Sequence, residues 1–139
     1  MTLAYLLDTN VLSDLCSRRP NRRLLSRVER HSRESGTAAP VLHELRYGCE
    51  LLPPSRKRDS LEDFVQGMVE AVYPVLPYDQ AAAAWHAVER ARLERLGRTA
   101  PFVDGMIASI ARVNDLTLVT GNIRDYRNFR DLRLEDWSR

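Results

Sequence analysis

The sequence predicts an α/β domain built on a mainly parallel sheet, and three observations lead there. A short apolar run at 3–7 (LAYLL) stops abruptly at Asp8-Thr9-Asn10, a triplet suited to opening a helix. A comparable run, LTLVT at 116–120, follows a helix-patterned stretch late in the chain. Strand candidates and helical patterns alternate between them, and no repeat, linker or low-complexity tract interrupts the order.

Each element has a local cause. After the first strand, Val11, Leu12, Leu15 and Cys16 lie along one side of a helix that Pro20 interrupts. A second helix is expected over 21–33, ended by Gly36, with Thr37-Ala38-Ala39 as a short strand. Pro40 suits the first turn of the next helix, where its missing N–H costs nothing; that helix runs to about Leu52 and stops at Pro53-Pro54. A further helix covers 55–70, and AVYPVLPY after it reads as an edge strand or loop because of Pro74 and Pro77. A long helix from about Gln80 to Leu96 ends at Gly97. Thr99 is expected to cap the next, with Pro101 in its first turn, running to Asn114. Asn122 can cap one short turn, and Leu132-Arg133-Leu134 is a last edge-strand candidate.

The 139 residues suit one domain spanning 1–139, with a real core needing neither disulfide nor structural zinc. MTLAYLL carries no Lys or Arg before Asp8, so no secretory signal fits, and no apolar run reaches a membrane span. A soluble, cytoplasmic protein without a membrane partner is expected. Cys16 and Cys49 form no metal or redox pattern and read as buried thiols on apolar stripes. Basic and acidic residues nearly balance at 21 to 19, but the bases are lopsided: Lys57 is the only lysine. Seven arginines fall in 18–33 against Glu29 alone, a possible phosphate-binding face or simply a solvated one.

The acids carry more information. Sites in open α/β sheets form beyond the carboxyl ends of the strands. Asp8 follows the first strand directly, Glu44 sits in the first turns of the helix after 37–39, and Asn122 and Asp125 follow the strand ending at Thr120. Asp104 lies near the start of its helix, before Gly105, whose missing side chain permits close approach of another group. Glu44 is off its helix's apolar stripe and aligned with Gly48, which leaves room around it. Each acid alone has a plain reading as a cap or solvated side chain. Together at one edge they would repel, and a divalent cation relieves that repulsion. Oxygen-only ligands suit Mg²⁺ or Mn²⁺, not zinc.

Other chemistries fit less well. His31, His43 and His86 lack zinc spacing and read as surface or core residues, and no phosphate-cradling glycine loop or G-x-S-x-G elbow is present. A receiver-like phosphoacceptor would suit Asp8 but needs a lysine after a late strand, and Lys57 is elsewhere.

LLDTNVLSDL near the start, HELRYG at 43–48, PFVDGMIASIA at 101–111 and LVTGNIRDYRNF at 118–129 resemble the four acidic motifs of PIN-domain ribonucleases. The whole chain, including LRLEDW at 132–137, is similar to VapC-type toxins of bacterial toxin–antitoxin pairs. The resemblance implies a three-layer α/β/α domain and an endoribonuclease dependent on Mg²⁺ or Mn²⁺. It places catalytic acids at Asp8, Glu44 and Asp104. At the fourth position many relatives carry Asp where Asn122 stands here, while a subgroup has an acid matching Asp125. Asp8 and Asp104 would be direct metal ligands, with Glu44 and Asp125 completing the site directly or through water. Asn10 and Thr120, with Asn122, match supporting polar residues. Arg22, Arg23 and Arg27 are expected to hold the RNA, for which tRNA is plausible. A small antitoxin and a homodimer are also implied. The alternative within this resemblance is an RNA-binding PIN domain weakened catalytically by Asn122.

Overall fold

The structure, a computed structural model, describes residues 2–139. Its centre is a five-stranded, all-parallel sheet in the order β3-β2-β1-β4-β5. The strands are β1 (Tyr5–Leu7), β2 (Ser35–Ala38), β3 (Val75–Leu76), β4 (Thr117–Val119) and β5 (Leu134–Glu135). Parallel neighbours require crossovers, and seven helices supply them: α1 (Thr9–Leu15), α2 (Arg22–Arg30), α3 (Ala39–Leu51), α4 (Arg56–Phe64), α5 (Gln80–Arg95), α6 (Phe102–Val113) and α7 (Ile123–Tyr126). They cover both faces of the sheet, giving the three-layer α/β/α architecture. β1 is central because it is apolar throughout, and Leu6, Leu7, Leu118 and Val119 are wholly buried.

Most predicted elements are present, with local shifts that have physical causes. The second helix stops at Arg30, and a tight 3₁₀ turn at Ser32–Glu34 leads into β2. Gly36 is therefore a strand residue, not a helix stop: a Cβ there would come within 3.1 Å of both Leu3 and the Pro74 carbonyl, so the strand needs the small residue. Ala39 belongs to α3, not to the strand. Thr99 does not cap α6; Pro101 occupies that place with no side-chain cap bond, since its fixed φ already presets the turn. The last strand is Leu134–Glu135, displaced from 132–134 because pairing with Leu118 and Val119 sets its register. Asn122 precedes α7, but its side chain makes no cap bond. Cys49 is buried, whereas Cys16 at the end of α1 is only half-buried.

Helix ends are closed as their sequences require. Gly97 takes φ 69°, letting Arg98 N–H donate to Leu93 O at 2.8 Å and Gly97 N–H to Glu94 O at 3.0 Å. Asp115 does the same after α6 at φ 56°, with Leu116 N–H on Ala111 O. Buried Glu89 on α5 accepts both arms of Arg92 at 2.8 Å and the Arg130 N–H, tying α5 to the segment after α7.

Candidate active site

The strand order reverses between β1 and β4: from β1 the chain crosses to β2 and β3 on one side and then to β4 and β5 on the other. Loops leave this switch point in opposite directions and open a crevice at the carboxyl ends of the strands. Asp8 is the first residue beyond β1 and Thr120 the first beyond β4, so the sheet itself sets them side by side. Asp8 N–H donates to Val119 O at 3.0 Å, extending the ladder to the rim.

Asp8 is almost fully buried; its hydrogen bonds come from Thr9, Asn10 and Thr120, and the Tyr126 hydroxyl also favours its ionised form. One carboxylate oxygen accepts from Thr9 N–H at 2.8 Å, capping α1. The other accepts from Thr120 Oγ1 at 2.9 Å and Asn10 Nδ2 at 2.9 Å. Thr120 Oγ1 in turn accepts from the Asn122 N–H at 3.0 Å, and Asn10 Oδ1 accepts from the Gly121 N–H at 2.8 Å. Asn10 and Thr120 thus clamp Asp8 and shape the turn after β4. Burial still pushes the Asp8 carboxyl above its ordinary pKa, against these bonds.

The other acids face the same charge. Asp104, half-buried in the first turn of α6, is raised to about 6 by burial first and then by Asp8, Asp125 and Glu44. Glu44, in the second turn of α3, is also raised, by burial and then by Asp8. Space beside Gly48, one turn on from Glu44 on the same side of α3, is open, as their alignment suggested. Asp125 is exposed on α7 and makes no ion pair among the described residues, so it is not the partner of Arg124, Arg127 or Arg130. Asn122 is exposed, and its side chain makes no hydrogen bond among the described residues. All four acids are thereby brought into one field.

Two contributors were missed in the sequence. Tyr126 is buried, with its hydroxyl 3.5 Å from Asp104 Oδ1, at the outer limit of hydrogen bonding. Burial and the surrounding carboxylates hold its phenol above the ordinary tyrosine value, so it remains a proton donor. Its place directly after Asp125 was the available signal. Thr9 lies beside Glu44 and favours its ionised form, yet the buried hydroxyl has no hydrogen bond of good geometry.

Oxygen-only donors, mutual repulsion and an orphaned hydroxyl fit a hard divalent cation. The carboxylates do not close on one point: among the described residues, no three His, Cys, Asp or Glu side chains form a ready-made cage. The histidines are elsewhere in character. His86 is buried and bonds Tyr78 at 2.8 Å, His43 is exposed, and His31 pairs with Glu34. Arg22 and Arg23 are exposed, whereas Arg27 is half-buried and reaches the Asp136 carbonyl at 3.4 Å. No helix among the described residues is long and apolar enough to cross a membrane.

A crevice of coupled carboxylates at the switch point of a parallel α/β/α fold is the arrangement of a PIN domain, and the PIN-domain family model matches residues 5–132. The chain belongs to that family, and its full-length relatives are VapC-type toxin ribonucleases. It is 36% identical over 140 residues to the tRNA(fMet)-specific endonuclease VapC of Shigella flexneri, covering 98% of this chain and 99% of that one. Ribonuclease VapC2 of Haemophilus influenzae is 32% identical over 136 residues, with 97% and 98% covered. Among solved structures, DNA-bound VapBC from Salmonella typhimurium superposes with a TM-score of 0.86 at 30% identity, covering 97% of this chain and 98% of that one. FitAB bound to an IR36 DNA fragment gives 0.88 at 25% identity, covering 97% and 96%. A receiver-like reading is not favoured.

Proposed function

We propose that the protein is the toxin of a type II toxin–antitoxin pair, a divalent-metal-dependent endoribonuclease whose cation, Mg²⁺ or Mn²⁺, is held by Asp8, Glu44, Asp104 and Asp125. The observation that carries this reading is the coupling of four carboxylates across β1, α3, α6 and α7, with Asp104 raised to about 6 by burial and by its three neighbours. Full-length similarity to named ribonucleases supports it. Residues 1–139 form one domain in this reading, acting in the cytoplasm.

Asp8 and Asp104 would bind the cation directly, and Glu44 and Asp125 directly or through water. Asn10 and Thr120 hold Asp8 in a single orientation, so it pays little reorganisation on binding. Asn122 supports the turn through its main-chain N–H. The Tyr126 hydroxyl, kept protonated, would steady Asp104 and Asp8. When bound, a divalent cation polarises the scissile phosphate and acidifies the attacking water. In-line attack of water on phosphorus would form the new P–O bond as the bond to the 3′ oxygen breaks, leaving a 5′-phosphate on one product and, once the departing oxygen takes a proton, a 3′-hydroxyl on the other; these are the ends the family resemblance implies.

The substrate would be structured RNA such as tRNA, which is what one named relative cleaves. An antitoxin partner is supported by the complexes in which similar toxins are found, and a homodimer is expected beside it. Brief induction in cells followed by sequencing of new RNA 5′ ends tests the whole reading. Discrete new ends, lost in the Asp104→Asn variant, are expected. Identical ends with wild-type and variant chains would overturn it.

A further inference from the structure

The Arg-rich segment does not meet the solvent as one face. Its first member, Arg18, follows the end of α1 and lines a cavity of about 700 Å³ with Arg56 and Lys57, the first two residues of α4. Ser17 and Ser60 add hydroxyls to the wall, and no acid lines it. Of the acids nearby, Glu50 and Glu62 both pair with Arg58, at 3.0 and 2.7 Å, while Asp59 in the first turn of α4 is exposed and lies outside the lining. Arg18, Arg56 and Lys57 have no ion pair among the described residues, and all three are exposed. Three like charges around one cavity, at the positive end of a nine-residue helix, favour an anion.

The place of the cavity says which anion. α1 begins at Asp8 in the acidic crevice and ends beside Ser17, about 13 Å away at 1.5 Å per residue. That separation is within the span of a few nucleotides of an RNA backbone. We propose that Arg18, Arg56 and Lys57 form a phosphate-binding site for the RNA backbone, engaging the strand a few nucleotides from the bond cleaved in the acidic crevice. The inference rests on the ribonuclease reading and adds to it a second, remote contact. It also moves the RNA grip from Arg22, Arg23 and Arg27 to residues that meet only in the folded chain.

The test uses the full chain carrying Asp104→Asn, so that RNA stays intact, in metal-free buffer. Affinity for a short hairpin RNA is measured by fluorescence anisotropy over a range of salt, with and without Arg18→Gln, Arg56→Gln and Lys57→Gln together. The triple variant is expected to bind at least about tenfold more weakly at low salt, with the log–log salt slope reduced by about 2.7. Arg56→Gln and Lys57→Gln are also measured singly, each expected to remove about 0.9 of slope, in case the triple variant folds poorly. An unchanged slope overturns the site, as does the absence of any RNA binding. A triple variant that keeps its RNA slope but loses its antitoxin on co-purification would mark a protein contact instead and also overturn it. Cleavage of the same RNA by the wild-type chain with Mn²⁺ is scored in parallel. Its absence counts against the ribonuclease reading, whereas cleavage with an unchanged slope removes only the phosphate site.

Discussion

At the scale of single residues, the decisive quantity is the charge on Asp104. Its folded-state pKa of about 6 lies above the ordinary 3.8, so the folded chain holds that proton more tightly than the unfolded one. The metal-free protein should therefore be most favoured below about pH 4 on this account, and lose stability as pH rises to about 6. Asp104→Asn removes the charge and keeps the shape. The variant should be more stable than wild type at pH 8 by on the order of 1 kcal/mol, with little difference at pH 4. Its cleavage rate with Mg²⁺ should fall by more than about 100-fold. Denaturant melts at both pH values and a cleavage assay check this; wild-type activity in the variant would refute the assignment. For the fourth acid, Asp125→Asn should cut activity strongly, with partial rescue at higher Mn²⁺, and Asn122→Ala should cost less. The reverse order of effects would give the position to Asn122.

At the scale of elements, α6 is placed by the contact between Gly105 and His86. A Cβ on Gly105 would lie 2.2 Å from His86 Nε2, and the ring is held from its other side by Tyr78. Gly105→Ala should therefore destabilise by about 1–3 kcal/mol and displace the turn bearing Asp104. Adding His86→Ala should recover part of that loss, because the two positions share one space. Additive losses in denaturant unfolding would show that the ring does not set the helix position.

At the scale of the whole molecule, the proposed metal site predicts that repulsion among the clustered acids is relieved when a divalent cation binds. Mn²⁺ at 100 times its dissociation constant should stabilise the fold by about 2.7 kcal/mol, read as a rise in Tm. An unchanged melt at millimolar Mn²⁺, with calcium and salt controls, would argue against the metal site. Expression from the native operon should yield a small stoichiometric partner on purification. Repeated recovery of the active chain alone, without toxicity to its host, would argue against an antitoxin.

What the sequence determined by itself is local. The apolar run ending at Asp8, the proline at the start of α3 and the glycine after α5 each act within a few residues, and each is where its pattern put it. The four acids were legible because all lie near the amino ends of helices that follow strands or face the same edge. Tertiary structure decided what meets across long separations. Thr120 reaches Asp8 over 112 positions, and Tyr126 approaches Asp104 over 22. Strands β3 and β5, two residues each, take their bounds from the neighbours they pair with. The grouping of Arg18 with Arg56 and Lys57 follows from how α1 and α4 each pack against α3, which no periodicity encodes. Periodicity and capping report the forces along one element; the crossovers of a parallel sheet decide which element ends share a crevice.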